Sequence, residues 1–299
     1  MKASSNSPLI GAMWMAITGL NFVAVTATVK IIGPGLPAAE AAFLRYLLGL
    51  VFLIPLMGQL GTISLSKPTL KLLSLRGAVH ALGVILWFYA MARIPMADVT
   101  AMNYMSPIYV TLGAALFLGE KLAFRRILAI LCAFAGVLII LRPGLRELSS
   151  GHIAMLGAAL AFAGSYLIAK RVSDNLSPGI VVAMLSITVT IGLAPFAFAV
   201  WVTPEWSQIG WLFLVACFAT TGHFAMTKAF QAAPVTVTQP VTFLQLLWAT
   251  LIGAIFFAEP VDSWVVAGGV VIVISVSFIT WREALLKRRD AKQPVVITS

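Results

Sequence analysis

Long apolar runs, separated by short connections that hold most of the charges, fill this chain almost from end to end. A helix that crosses hydrocarbon needs about 20 apolar residues. Runs of that order lie near residues 8–29, 38–57, 72–92, 97–117, 125–141, 152–170, 178–201, 208–230, 235–257 and 263–281. Some connections are very short: Arg93-Ile94-Pro95-Met96 leaves room only for a tight helical hairpin. Backbone polar groups in lipid must be satisfied within the protein, so these runs predict ten helices and not a barrel. The first run sits where a secretory leader would, but its only preceding charge is Lys2 and it matches the sixth run in sequence. It is read as a helix of the mature fold.

The runs occur twice. Gly83, Ala90, Pro95, Thr111, Leu112, Ala115, Phe117 and Glu120 return 139 positions later as Gly222, Ala229, Pro234, Thr250, Leu251, Ala254, Phe256 and Glu259. A shift of 140 brings Gly11, Met15, Leu20, Phe22, Lys30, Leu36 and Pro55 onto Gly151, Met155, Leu160, Phe162, Lys170, Leu176 and Pro195. Each copy holds five spans. Five is odd, so the second copy starts on the other side of the membrane and runs upside down. The expected fold is all-α and membrane-integral, with ten transmembrane helices arranged as two inverted five-helix repeats. The repeats are expected to divide at 1–147 and 148–299, the second ending in a short basic tail. Inverted repeats place a solute site near the midplane, between two halves that can exchange shapes.

Composition agrees with lipid as the solvent. Of the residues 61% are hydrophobic and only 10% are charged, with a mean hydropathy of +1.01, against about 25% charged in soluble proteins. The net charge of +10 would suit nucleic acid in a soluble chain. Here no basic patch is interleaved with aromatics, so no nucleic-acid partner is expected and the charges read as positive-inside sorting. Fifteen Lys and Arg fall on the side of residue 1. Four (Lys30, Arg93, Arg142 and Arg146) fall on the other, and Arg45 lies inside the second run. This places both chain ends in the cytoplasm. Cys132 and Cys217 lie in apolar runs and are read as packing residues. With no metal-ligand spacing, phosphate cradle or activated nucleophile in the sequence, neither a cofactor nor enzyme chemistry is expected.

One stretch carries a family likeness. Ile94-Pro95, Ser106-Pro107, Gly113 and Leu118-Gly119-Glu120-Lys121, then Gly136 through Leu141-Arg142-Pro143-Gly144, resemble the EamA repeat of the drug/metabolite transporter superfamily. Ala233-Pro234 and Ala258-Glu259-Pro260 match it in the second half, with Leu246 where the first copy has Pro107, and Phe43-Leu44-Arg45-Tyr46 is similar to the family's second span. The resemblance implies a ten-helix secondary transporter of a bacterial-type inner membrane moving a small organic metabolite. Members similar in the Leu-Arg-Pro-Gly run take up riboflavin or S-adenosylmethionine, and an amino-acid or drug exporter is the alternative. A channel or a purely structural membrane protein are the readings from other classes.

Residues that break the repeat are the better candidates for solute contact, because a bound molecule is not two-fold. Arg45 faces Leu185 in the repeat and costs about 2.5–3.5 kcal/mol near a span centre. It is read either as an anchor for a carboxylate or phosphate-like group or as an internal brace to a helix carbonyl or to Glu40. Thr100, Asn103, Pro107 and Thr111 share a helix face. Gln239, Thr242, Leu246 and Thr250 repeat that stripe, with Ser106 and Gln245 beside the two stripes. Such stripes read as a cavity wall or as interhelical hydrogen bonds. His80 and Trp87 on the third span, with Tyr104, Tyr109, Phe243 and Trp248, offer rings for stacking on a planar solute. Trp201, Trp206, Trp211 and Trp281 read instead as an interfacial belt. Glu40, Asp98 and His80 are the candidates for proton coupling. Gly157 and Ala161 fit helix packing within the bundle or against a second chain, so the oligomeric state stays open.

Overall fold

A computed structural model describes residues 8–56, 65–118, 124–145, 147–172, 176, 178–233, 238, 241 and 244–290. Among them are eleven α-helices: α1 (Pro8–Ile32), α2 (Ala38–Gly49), α3 (Lys67–Met91), α4 (Met96–Asn103), α5 (Met105–Leu118), α6 (Phe124–Leu141), α7 (Ser150–Val172), α8 (Pro178–Ala199), α9 (Trp206–Ala232), α10 (Leu244–Phe257) and α11 (Ser263–Asp290). Among the described residues seven spans are long and apolar enough to cross a membrane, and shorter apolar helices cover Ile127–Leu141 and Leu244–Phe257. The chain is a multi-pass, all-helical membrane protein. Large apolar side chains point outward, as lipid contact requires. Phe117 and its repeat counterpart Phe256 are 74% and 75% exposed. Cys132, expected to pack, is also exposed, on α6.

Local sequence explains where the helices start and stop. The Ser66 hydroxyl accepts from Thr69 N–H at 3.4 Å, and Pro68 follows in the first turn of α3. Glu205 and Gln208 form a reciprocal capping box on α9. Gly33, at φ +69°, turns the chain out of α1. The second span leaves α-helical geometry at Leu50 and continues as a 3₁₀ segment to Leu56 around Pro55. The fourth span is two helices. Pro107 has no N–H to donate to the Asn103 carbonyl, and the helix breaks between Asn103 and Met105. The tenth span runs nine residues past the expected boundary, carrying the basic tail on as helix to Asp290.

Corresponding helices start at matching positions: 38 and 178, 67 and 206, 124 and 263. Packing repeats in the same way. α1 lies along α9 and α3 along α7; α2 crosses α9 and α3 crosses α8; α6 pairs with α11, α2 with α8, and α4 with α10. Exchanging the halves turns each of these contacts, apart from that of α4 with α10, into itself or another of the set. Close approaches recur too. A Cβ on Gly83 would meet the Phe162 ring at 2.9 Å, and one on Gly222 would meet Asn21 at 3.2 Å beside Phe22. Gly157 packs against Leu86, so the small-residue spacing on α7 serves the bundle. Where α6 crosses α11, a Cβ on Gly136 would meet the Gly268 carbonyl at 2.8 Å.

Candidate functional site

Between these helices lies a cavity of about 280 Å³, walled by α1, α2, α3, the α4–α5 break, α7, α9 and α10. Arg45, His80, Trp87, Asn103, Tyr104, Ser106 and Gln245 all line it. The break at Pro107 turns Asn103 and Ser106 toward this space. The Asn103 Oδ1, Ser106 Oγ and Trp87 Nε1 atoms are buried with no protein partner among the described residues. Each such atom costs about 1–3 kcal/mol when left unpaired. Gln245 sits where α10 meets α1 at Gly19, and the Tyr104 hydroxyl is hydrogen-bonded to the Leu246 backbone, tying α4 to α10.

A chain of contacts fixes the basic wall. His80 Nδ1 lies 3.1 Å from Ser165 Oγ and its Nε2 3.2 Å from the Tyr46 hydroxyl. The Tyr46 ring in turn carries the Arg45 guanidinium 4.1 Å from its centroid. Glu40 is not the brace of Arg45. It is fully buried at the start of α2, and its Oε2 accepts from Val202 N–H at 2.9 Å. Sequence reasoning missed Tyr46, Phe22, Phe162 and Tyr166, which supply most of the aromatic wall. Phe22 and Phe162 are a repeat pair. Phe162 lies 4.9 Å from the His80 ring, and Phe22 lies 5.2 Å from His223.

Other expected residues lie elsewhere. Trp248, about one turn beyond Gln245, packs with Val23 and Met96, away from the cavity. Tyr109 lies against Phe134 on α6. Thr111 donates to the Pro107 carbonyl at 3.0 Å and faces α11. Gln239, Thr242 and Phe243 lie outside the described residues.

The end of the bundle marked by Lys30 is closed by ions. Lys30 pairs with Glu259 and donates to the Ile94 carbonyl at 2.9 Å. Glu259 Oε2 accepts from Met96 N–H at 2.9 Å, the first helical N–H of α4. Arg142 pairs with Asp262, whose Oδ1 accepts from Trp264 N–H at 2.9 Å. Asp98 is 1% exposed and meets His152 Nε2 at 2.9 Å. Ser149 N–H donates to His152 Nδ1 at 3.2 Å, so that nitrogen is the acceptor and the proton sits on Nε2, toward Asp98. His152 carried no signal in the repeat. From Phe22 on the cavity wall to Lys30 is eight residues of α1, roughly 12 Å.

The profile of the EamA-like transporter family matches residues 9–142 and again 149–281. The chain belongs to the EamA-like transporter family. It is 31% identical to the riboflavin transporter of Vibrio cholerae over 95% of this chain and 97% of that one. It is 29% identical to the pseudopaline exporter CntI of Pseudomonas aeruginosa (89% and 94%) and 25% identical to the S-adenosylmethionine uptake transporter of Rickettsia bellii (92% and 94%). A protein of known crystal structure superposes with a TM-score of 0.57 at 16% identity, over 93% of this chain and 99% of that one, a likeness of fold. This EamA-family chain is therefore a membrane transporter of a small molecule.

Proposed function

We propose that this chain is a secondary transporter that moves a planar aromatic or heterocyclic metabolite across a bacterial inner membrane by alternating access. Riboflavin and S-adenosylmethionine, carried by two of its relatives, are the two starting candidates for uptake, one neutral and one cationic. Export is the alternative direction, as in the relative that exports pseudopaline. The observation that carries the proposal is the set of unpartnered polar atoms on Trp87, Asn103 and Ser106 inside an aromatic-walled cavity.

The halves 1–147 and 148–299 are proposed to be inverted repeats. The twofold family match and the half-exchange symmetry of the packing support this. Both chain ends then lie in the cytoplasm, as the Lys and Arg distribution supports, and the Lys30 end faces outward. In this frame the ionic cluster seals the outer side, and the conformation is inward-facing. Asp98, next to that seal and paired with His152, is the group best placed to link protons to opening, ahead of Glu40 and His80. Asn103→Leu removes an amide and fills its space, so it lowers the transport rate at least tenfold while membrane insertion stays at the wild-type level. Rates in proteoliposomes and the yield of folded protein from membranes test this. Unchanged transport removes Asn103 from the site.

A further inference from the structure

We infer that the cavity filters solutes by charge: it takes flat, acceptor-rich heteroaromatic molecules with no net positive charge, and Arg45 is the filter. This deepens the reading of the cavity as the solute site and rests on it. The ionisable groups in the described wall, apart from tyrosines, are Arg45, His80 and His223; no carboxylate lines it. Residues 239–243, next to the wall in sequence, are Gln-Pro-Val-Thr-Phe and carry no acid either. The nearest acid on the same helix, Glu40, is five residues away and turned to Val202. Among the described residues no carboxylate pairs with Arg45. Its guanidinium is held over Tyr46, which His80 and Ser165 fix in place.

An arginine fork offers several parallel donors and no acceptor. The Trp87 N–H is a further buried donor without a protein partner, and Asn103 Oδ1 supplies one acceptor. The wall therefore offers donors in excess. A ring whose edge holds carbonyls or ring nitrogens, with one N–H, complements it, and so does a ring bearing a carboxylate or phosphate. Phe22, Tyr46 and Phe162 supply faces for stacking. A second cation about 6 Å from Arg45, at an effective dielectric of about 20, is disfavoured about 100-fold. The cavity thus discriminates against a sulfonium or ammonium solute such as S-adenosylmethionine and in favour of a neutral flavin.

The test is a charge series on constant rings. Flavin, purine and quinoline cores, each in neutral, carboxylate and trimethylammonium forms, are titrated against the purified full chain in nanodiscs, with quenching of tryptophan emission as the readout. For every core that binds, the neutral and anionic forms are expected to bind at least tenfold more tightly than the cation. Arg45→Gln is expected to narrow that gap to less than threefold, and Arg45→Lys to preserve it. A cation bound as tightly as its neutral partner by the wild-type chain, or an undiminished gap in Arg45→Gln, overturns the filter while leaving the solute site standing. No binding by any of the nine compounds overturns the solute site and the filter together.

Discussion

Trp87 shows what one side chain contributes to solute selection. Its indole N–H is buried and unpartnered in the protein, while its ring packs edge-on against Phe88 and Phe162. Trp87→Phe keeps an aromatic ring and deletes only the donor. A neutral hydrogen bond to a solute contributes about 0.5–1.5 kcal/mol, so the variant should raise the KM for transport about two- to tenfold. Stability should hold or rise slightly, because the deleted donor had no partner in the protein. A melting curve beside uptake kinetics separates the two effects; an unchanged KM places the donor outside the solute's reach. Much at this scale was legible in the sequence, where polar residues inside apolar runs marked Arg45, Asn103, Ser106 and Gln245. Phe22, Phe162 and Tyr46 were not, because an aromatic in an apolar run looks the same whether it faces a cavity, a neighbouring helix or lipid. Trp248 failed for the same reason.

Among the elements, the break between α4 and α5 and the turn after α10 act together. Pro107 ends α4 at the cavity, and the other end of α4 is held by a side chain from the opposite half of the chain. That side chain is Glu259, which caps Met96 and pairs with Lys30. Ala258 adopts φ +52°, a conformation that costs an L-residue about 1–2 kcal/mol, and so turns Glu259 back over Gly253 toward α4. Glu259→Gln keeps an oxygen for the cap but removes the charge pair with Lys30 and the favourable charge at the helix N-terminus. A loss of about 1 kcal/mol from the closed arrangement is about a fivefold shift in population. In a background with Cys132 and Cys217 replaced by Ala, a Thr250→Cys probe in the pocket lined by Asp98, Arg142, Glu259 and Asp262 should react about fivefold faster with an impermeant thiol reagent added outside. An unchanged rate shows that the pair does not hold this end shut. Glu259, which the repeat marks only as the counterpart of Glu120, is both helix cap and ion-pair partner. The Asp98–His152 contact lay beyond sequence reasoning because it joins residues 54 positions apart that have no counterparts in the other half.

Across the whole molecule, the duplication that the sequence displays does not make two separable bodies. Each half is a contiguous stretch of chain, yet the main packing partners lie across the boundary: α1 with α9, α3 with α7, α6 with α11 and α4 with α10. The order of the spans could be read from the apolar runs, though not the break of the fourth into two helices, and helix starts recur at the 139- or 140-residue shift. Interleaving could not be read that way, since a repeat reports similarity within halves and is silent on contacts between them. Crossings such as Gly136 on the Gly268 carbonyl, or Gly83 on Phe162, exist only when both halves are present. A half expressed alone would turn its small-residue and polar helix faces to lipid, where each unsatisfied polar group costs several kcal/mol. Cutting the chain between Leu145 and Ser149, a connection with exposed Leu145 and Leu148, leaves every crossing intact. Co-expressed fragments should therefore copurify and transport at a rate within about threefold of the intact chain, while either fragment alone is degraded or aggregates. If one fragment alone yields monodisperse, stable protein, the halves are independent bundles, and the interleaved packing is not what holds this transporter together.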